Sequence, residues 1–300
     1  MTTTIDILRN AHSTSSYLTL PSEAFQSLYD VSYKFVTSGA AARSLPPANL
    51  YNIFELQFFL SIIAGKDSEA NAILATLTDR FRQDSHRVGV LRSIYLEATE
   101  GPLKALEFVS GRPDTELGTL KRKIVILKSS NQTSAYISEL LKLVDNFPSD
   151  AESWAELASA YAEAGMYAQS LFALHEVLLL APLAYNINAL IGETSLVYAS
   201  SLQAASSSHS VAIEDRLFEA VKFFLRSVEL CEDYVRGWAG VLVATKRIAA
   251  IQKPFGDTST YNRLYDVARS RLTKIVETND ASESDLAAAR LVLKNYKIGI

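Results

Sequence analysis

Side chains that could perform catalysis or hold a metal ion are few in this sequence and lie far apart. The histidines, His12, His86, His175 and His209, lack metal-ligand spacing, and one cysteine, Cys231, cannot build a thiolate zinc site. The sequence also has no glycine-rich phosphate loop, nucleophile elbow or H-E-x-x-H pattern. We therefore expect neither enzyme activity nor a cofactor or metal.

One compact basic cluster, Lys121-Arg122-Lys123, has the chemistry to bind acidic groups of a partner or lipid headgroups. The simpler interpretation is that these residues form a solvated first turn of a helix. The binding and the solvated interpretations both stay open. The whole chain carries a formal charge of −4 and has a pI near 5.7. This acidic balance argues against a general nucleic-acid-binding protein, which usually has a basic excess.

The elements that position these side chains follow a period of 34 residues. Pro148 and Pro182 are 34 positions apart (182 − 148), and the segment between them follows the tetratricopeptide pattern W-x2-L-G-x2-Y. The matching positions are Trp154, Leu157, Ala158 and Tyr161 in the first helix, Gly165 at the turn, and Ser170, Leu174 and Val177 in the second helix.

The physical reason for such a repeat is that two short helices cannot bury their shared apolar face alone. Consecutive hairpins therefore stack and share one core. Ser149 and Glu152 predict a capping box at the start of the first helix. Trp154 is expected to pack in the core, where loss of a fully buried indole costs about 3–5 kcal/mol.

The period extends in both directions from this unit. Earlier units are predicted at Tyr51–Asp84, Ser85–Glu116 and Leu117–Asp150, the last with Lys123 in place of the usual first-helix leucine. Later units contain Gly192, Phe224 and Trp238, and Trp238 follows Trp154 by 84 residues (238 − 154), two periods plus an insertion. The serine-rich stretch Ser200–Ser210 is predicted to be a mobile loop within that insertion.

These patterns predict one all-α domain over residues 1–300, a tetratricopeptide α-solenoid in which helix hairpins form a superhelical stack. An N-terminal cap and loop occupy 1–50, with a helix at Pro21–Thr37 and a loop at Gly39–Pro47. The repeats occupy 51–250, and closing helices occupy 261–300 after a loop at Lys253–Thr260. The composition, 48% hydrophobic with 12 glycines and 8 prolines, supports a largely helical chain.

Targeting signals are not visible. The first residues lack the apolar core of a secretory signal, and the most apolar windows are interrupted by polar residues, so we expect no membrane span. A single cysteine fits a reducing compartment.

A binding function would use the first helices of the hairpins, which line the concave side of such an array. Their exposed positions are predicted to be Phe59, Ile62, Ser93, Leu96, Lys121, Val125, Lys128, Glu152, Ala155 and Ser159. Apolar members such as Phe59 and Val125 suit a peptide laid along the groove, or they complete the packing between repeats; both interpretations stay open.

The order of motifs along the chain resembles the family of subunit 2 of the endoplasmic reticulum membrane protein complex, in a fungal form. The motifs are D-S-H-R-V at 84–88, K-R-K-I at 121–124, F-P-S-D-A-E-S-W-A-E-L-A at 147–158 and G-x-Y-A-x-S-L-F-A-L-x-E at 165–176. The likeness covers roughly residues 20–296, and its specific part lies at about 84–180.

The resemblance implies a non-catalytic scaffold subunit at the cytoplasmic face of the endoplasmic reticulum membrane. It implies a hetero-oligomer in which the solenoid holds cytosolic parts of subunits 3 and 5, touches subunit 1, and pairs with subunit 8 or 9 of a transmembrane-segment insertase. Lys121, Arg122 and Lys123 match the basic run of the family. The long serine-rich insertion departs from shorter relatives.

Two other classes of function remain. A soluble co-chaperone or adaptor that binds a peptide in its concave groove would share the fold. An enzyme would need charged residues clustered in a deep closed pocket.

Overall fold

The computed structural model describes residues 3–38, 45–205, 211–251, 259–279 and 281–296. Within these ranges the regular elements are helices. The α-helices are α1 (Thr4–Thr14), α2 (Ser22–Thr37), α3 (Pro47–Ile63), α4 (Asp67–Phe81), α5 (His86–Glu100), α6 (Pro102–Ser110), α7 (Leu117–Ser129), α8 (Thr133–Asn146), α9 (Ala151–Glu163), α10 (Tyr167–Leu180), α11 (Tyr185–Ala205), α12 (Val211–Leu230), α13 (Val235–Ala249), α14 (Ser259–Thr278) and α15 (Glu283–Asn295). A single 3-10 turn, Ser16–Leu18, follows α1.

The chain divides into two compact units, Met1–Glu139 and Leu140–Ile300. In the first, α1 and α2 pack on α3, and the hairpins α3/α4 and α5/α6 lead to α7. In the second, the hairpins α9/α10, α11/α12 and α13/α14 are closed by α15. The prediction that the chain forms one domain stays a prediction.

First helices of successive hairpins contact each other as well as their own partners, α5 with α7 in the first unit and α11 with α13 in the second. These contacts join helices that are near neighbours in the sequence, which is the arrangement of repeat proteins. This confirms the predicted tetratricopeptide α-solenoid fold.

Three of the hairpin turns share one backbone conformation. Gly65, Asn131 and Gly165 have φ of 68°, 55° and 75°. In each turn the amide of that residue donates to the carbonyl three residues earlier, at 3.0–3.1 Å, and the next amide reaches five residues back. Glycine and asparagine tolerate this left-handed conformation better than other residues, so the turn predicted at Gly165 is confirmed.

The start of α9 differs from the prediction. Its N-cap is Asp150, one residue after Ser149, and no side chain makes the capping hydrogen bond. The predicted capping box of Ser149 and Glu152 is therefore wrong. A capping box does occur at α1, where Thr3 and Asp6 bond each other's backbone amides. This T-x-x-D signal was present in the sequence, although α1 was not predicted.

The two tryptophans make the same contact in their repeats. The indole Nε1 donates to the carbonyl oxygen six residues earlier, at 3.0 Å from Trp154 to Pro148 and at 2.6 Å from Trp238 to Glu232. Trp238 is only 8% exposed, whereas Trp154 is half-buried. The cost of removing a fully buried indole therefore applies to Trp238 and not to Trp154.

The serine-rich stretch is partly helical. Helix α11 continues through Ser200–Ala205, so the prediction of a loop is wrong for that part. Arg247 of α13 holds the extension, because its guanidinium donates to the Leu196 carbonyl and to the Ser200 hydroxyl, both at 3.0 Å. The rest of the stretch, residues 206–210 with His209, lies outside the described residues, as do 39–44 and 253–258 of the other two predicted loops.

Candidate partner-binding surfaces

Arg122 of the basic run lies between two first helices of the first unit. Its Nε donates to the Ser93 hydroxyl at 3.0 Å, and its Nη2 bonds the Glu97 carboxylate, both on α5. The Arg122 side chain is 12% exposed, and burial lowers the pKa of its guanidinium. The cation thus joins α7 to α5, and its contact with a partner stays a prediction.

Lys123 is also engaged within the first unit. Its ammonium lies 2.9 Å from the carboxylate of Glu139 on α8, and the two side chains are 23% and 15% exposed. This ion pair explains how a lysine takes the place where the repeat pattern puts leucine. Lys121 is half-buried. The predicted cluster is therefore not one exposed basic patch.

The other predicted contact residues of the first unit differ in exposure. Phe59 is half-buried and stacks on Tyr17 with ring centroids 6.1 Å apart, so it belongs to the packing between helices. Val125 is 51% exposed. Lys128 is exposed, and its ammonium lies 5.6 Å from the centre of the Tyr136 ring. Val125 and Lys128 therefore offer solvent-facing surface on α7.

In the second unit, the predicted contact residues Glu152 and Ser159 are exposed on α9. The Ser159 hydroxyl donates to the Ala155 carbonyl of its own helix at 3.1 Å. The predicted residues are thus divided between the two units, and a groove that they share stays a prediction.

A partly buried polar cluster in the first unit was not predicted. Glu55 of α3 bonds His12 of α1 at 3.3 Å and also pairs with Arg87 of α5. Burial by itself would raise the pKa of the Glu55 carboxyl, but the bonds from His12 and Arg87 outweigh it and hold the pKa below its ordinary value. The three residues are too far apart in the sequence for any local pattern to connect them.

The cavity beside Glu55 is small. It measures about 80 Å³ and is lined by Tyr51, Phe81 and Leu91, among others. Pockets for small molecules usually span about 300–1,000 Å³. Because the Glu55 carboxylate is already bonded to His12 and Arg87 and little space adjoins it, the cluster serves to join three helices.

A larger open groove lies in the second unit, between α12 and α14. Its volume is about 970 Å³. Phe218 and Tyr261 stack across it with centroids 5.5 Å apart, and Leu225 and Leu264 add apolar surface. Sequence reasoning missed this groove because it considered only first helices, whereas α12 and α14 are second helices. The available signal was the surplus of large apolar residues on α12.

Exposed apolar side chains also mark the second helix α10. Phe172 is 60% exposed and meets Trp154 edge-on at 6.3 Å between ring centroids. Leu179, two turns further on, and Leu183, just after the helix, are 76% and 69% exposed. These side chains add exposed apolar surface on and just after α10.

Among the described residues, no three or more His, Cys, Asp or Glu side chains come together in a way that could hold a metal ion. His175 lies 3.9 Å from Glu219, and Cys231 is half-buried. Over the same residues, none of the helices has the length and apolar character needed to cross a bilayer.

Tetratricopeptide repeats occur in many protein families, and one family matches this chain. Residues 104–210 match the family described as the EMC2 TPR-like repeat domain. Over those residues the chain is similar to that domain, within a tetratricopeptide fold. The matched segment runs from α6 into the region after α11, and it contains the K-R-K-I and tryptophan motifs. The resemblance inferred from those motifs is confirmed.

Individual relatives agree with this family. The chain is 25% identical to ER membrane protein complex subunit 2 of Saccharomyces cerevisiae, over 86% of this chain and 87% of the relative. It is 26% identical to the TPR repeat protein oca3 of Schizosaccharomyces pombe, over 73% and 80%. Subunit 2-B of Xenopus laevis is 32% identical over 45% and 46%. None of these relatives is described as an enzyme.

A solved structure supports the fold independently. The C-terminal part of a TPR repeat-containing protein from Cytophaga hutchinsonii superimposes with a TM-score of 0.52, covering 94% of this chain and 98% of the other. At 13% identity this likeness bears on the fold alone.

Proposed function

We propose that this chain is a non-catalytic scaffold subunit of an endoplasmic reticulum membrane protein complex. It would sit at the cytoplasmic face and hold cytosolic parts of the membrane-embedded subunits of a transmembrane-segment insertase. The observation that carries the proposal is the EMC2-type domain at 104–210, together with a subunit 2 relative that aligns over 86% of the chain. By the same resemblance the partners are subunits 1, 3, 5 and 8 or 9.

The geometry supports a scaffold because the residues that could do chemistry are engaged in holding helices together. The carboxylate of Glu55 and the cations of Arg122 and Lys123 pair within the first unit. We propose that the contact surface of that unit centres on Val125 and Lys128, which face solvent on α7. Glu152 and Ser159 are the proposed contacts of the second unit.

Co-purification tests the complex. The tagged chain is expressed in S. cerevisiae cells that lack their own subunit 2, membranes are solubilised in mild detergent, and the captured proteins are identified by mass spectrometry. We expect the remaining subunits of the complex to be recovered. Recovery of soluble chaperones without those subunits would contradict the proposal and favour a co-chaperone or adaptor.

A matched pair of substitutions tests the contact surface in the same experiment. Val125→Asp places a charge on an exposed first-helix position, and Leu103→Asp does so at a 76% exposed position of α6. Since both sites face solvent, neither change should lower the melting temperature much. We expect Val125→Asp to reduce recovery of the complex and Leu103→Asp to leave it unchanged. Equal recovery with both variants would remove α7 from the contact surface.

A further inference from the structure

The groove between α12 and α14 combines an apolar base with a basic edge. Val221 is buried at its base, and Phe218, Leu225, Tyr261 and Leu264 are half-buried along it. Side chains that are half-buried in the free chain still have apolar surface to lose on binding. The base of the groove is therefore suited to apolar anchors of a partner.

The dimensions favour a helix as the occupant. Along α12 the lining runs from Phe218 to Glu229, which is three turns or about 16 Å at the rise of an α-helix. A strand would need a sheet edge for its backbone hydrogen bonds, and the groove is bounded by helices whose own backbones are paired. An amphipathic helix carries its backbone bonds internally and places anchors at i, i+3, i+4 and i+7.

The charges favour an acidic partner. Lys222 and Arg226 line the groove four residues apart, which puts both cations on one side of α12. Arg226 pairs with Glu229 at 2.7 Å. Among the described residues, no carboxylate lies within ion-pair distance of the Lys222 ammonium, which rests 5.8 Å from the centre of the Phe223 ring. The groove is thus net basic on a chain whose formal charge is −4.

We propose that this groove binds an amphipathic helix of a protein partner, with carboxylates one turn apart beside Lys222 and Arg226. The apolar face of that helix lies against Phe218, Leu225, Tyr261 and Leu264. This surface is on second helices, so it is separate from the first-helix contacts of the proposed function and does not depend on them.

Binding of designed peptides to the purified chain tests the proposal. The probes are fluorescein-labelled 15-residue peptides with leucines at i, i+3, i+4 and i+7, flanked by glutamates four residues apart or, in the control peptides, by lysines. Fluorescence anisotropy measures the affinity. We expect the acidic peptides to bind at least about tenfold more tightly than the basic ones, because opposite charges meet at the groove edge. No difference between the two sets would overturn the proposal.

Three variants locate the site. The double variant Lys222→Glu with Arg226→Glu should bind the acidic peptides about tenfold more weakly. Lys274 is exposed on α14 outside the groove lining, so Lys274→Glu should leave their affinity unchanged. Thr260→Trp fills the groove from an exposed lining position and should abolish binding. If Thr260→Trp has no effect, the peptides bind a basic surface and not the groove. Hydrogen exchange should show peptide-dependent protection in α12 and α14, and protection elsewhere would also overturn the assignment.

A second copy of this chain is the competing occupant. Light scattering of the purified chain distinguishes it, since the proposal expects no self-association through this face. A dimer that the acidic peptide dissociates would assign the groove to a second copy and overturn the proposal.

Discussion

The interpretation of Lys123 from the sequence differs from its role in the structure. In the sequence it belongs to a basic run, Lys121-Arg122-Lys123, that matches a family motif. In the structure its charge is neutralised by Glu139, sixteen positions further along the chain. The ion pair is mostly shielded from water, so removing one partner leaves the other charge poorly solvated.

Charge reversal at Lys123 should therefore act on stability. We expect Lys123→Glu to lower the free energy of unfolding by about 1–3 kcal/mol, because it sets two carboxylates against each other in a half-buried site. The double variant Lys123→Glu with Glu139→Lys restores opposite charges and should recover most of the loss. Urea denaturation followed by circular dichroism measures both.

A different result would change the assignment of the basic run. If Lys123→Glu left stability unchanged, and the double variant did too, the ion pair would contribute nothing to the fold. The run would then regain its interpretation as a solvated surface available to partners.

Pairings of this kind limit how far a candidate site can be predicted from the sequence. The period of the repeats places Arg122 and Lys123 on the correct helix and turn. It does not say which carboxylate each cation meets, because Glu97 and Glu139 lie on other helices. The period did place Val125 and Lys128 on the exposed side of α7.

At the scale of elements, the close approach of first helices α11 and α13 depends on two glycines. Gly192 and Gly240 face the ring of Phe224 on α12, which is completely buried. A Cβ at Gly240 would lie 2.2 Å from the Phe224 ring, and one at Gly192 would lie 2.8 Å from it. Phe224 thus fills the space that the missing side chains leave.

Gly240→Ala should consequently be destabilising. Alanine favours helix over glycine by roughly 0.5–1 kcal/mol, but the overlap with Phe224 should cost more, so we expect a net loss of about 1–3 kcal/mol. Gly118→Ala on α7 is the matched control, because its Cβ would meet only Val90, at 3.6 Å. That variant should be neutral or slightly stabilising. Thermal unfolding measures the stability of both variants. If the two substitutions change stability equally, Phe224 moves aside without cost.

The elements were the most predictable part of the fold. The 34-residue period, the turn glycines and the apolar spacing together predicted the hairpins from α3 to α14. The errors occurred where the repeat pattern is absent, since α1 precedes the first repeat and the helical part of the insertion at Ser200–Ala205 is held by Arg247, a residue far along the chain. Asp150 took the cap position predicted for Ser149, a shift of one residue.

At the scale of the whole molecule, stability in a repeat protein is a sum of local terms. Each hairpin contacts its neighbours in the sequence, so a defect should spread only as far as those contacts reach. Trp238 of α13 is a strict test, because α13 packs on α11, α12, α14 and α15 within the second unit.

We expect Trp238→Ala to cost about 3–5 kcal/mol, since the indole is nearly buried and its Nε1 also loses the Glu232 carbonyl. Native-state hydrogen exchange should then show reduced protection in α11–α15 and unchanged protection in α3–α5 of the first unit. Trp154→Ala is the internal comparison. The Trp154 indole is half-buried, so its removal should cost less stability, about 2 kcal/mol. The loss of protection should then be centred on α9 and α10. Equal loss of protection in every helix after Trp238→Ala would mean that the chain unfolds as one cooperative whole, and the local description would not hold.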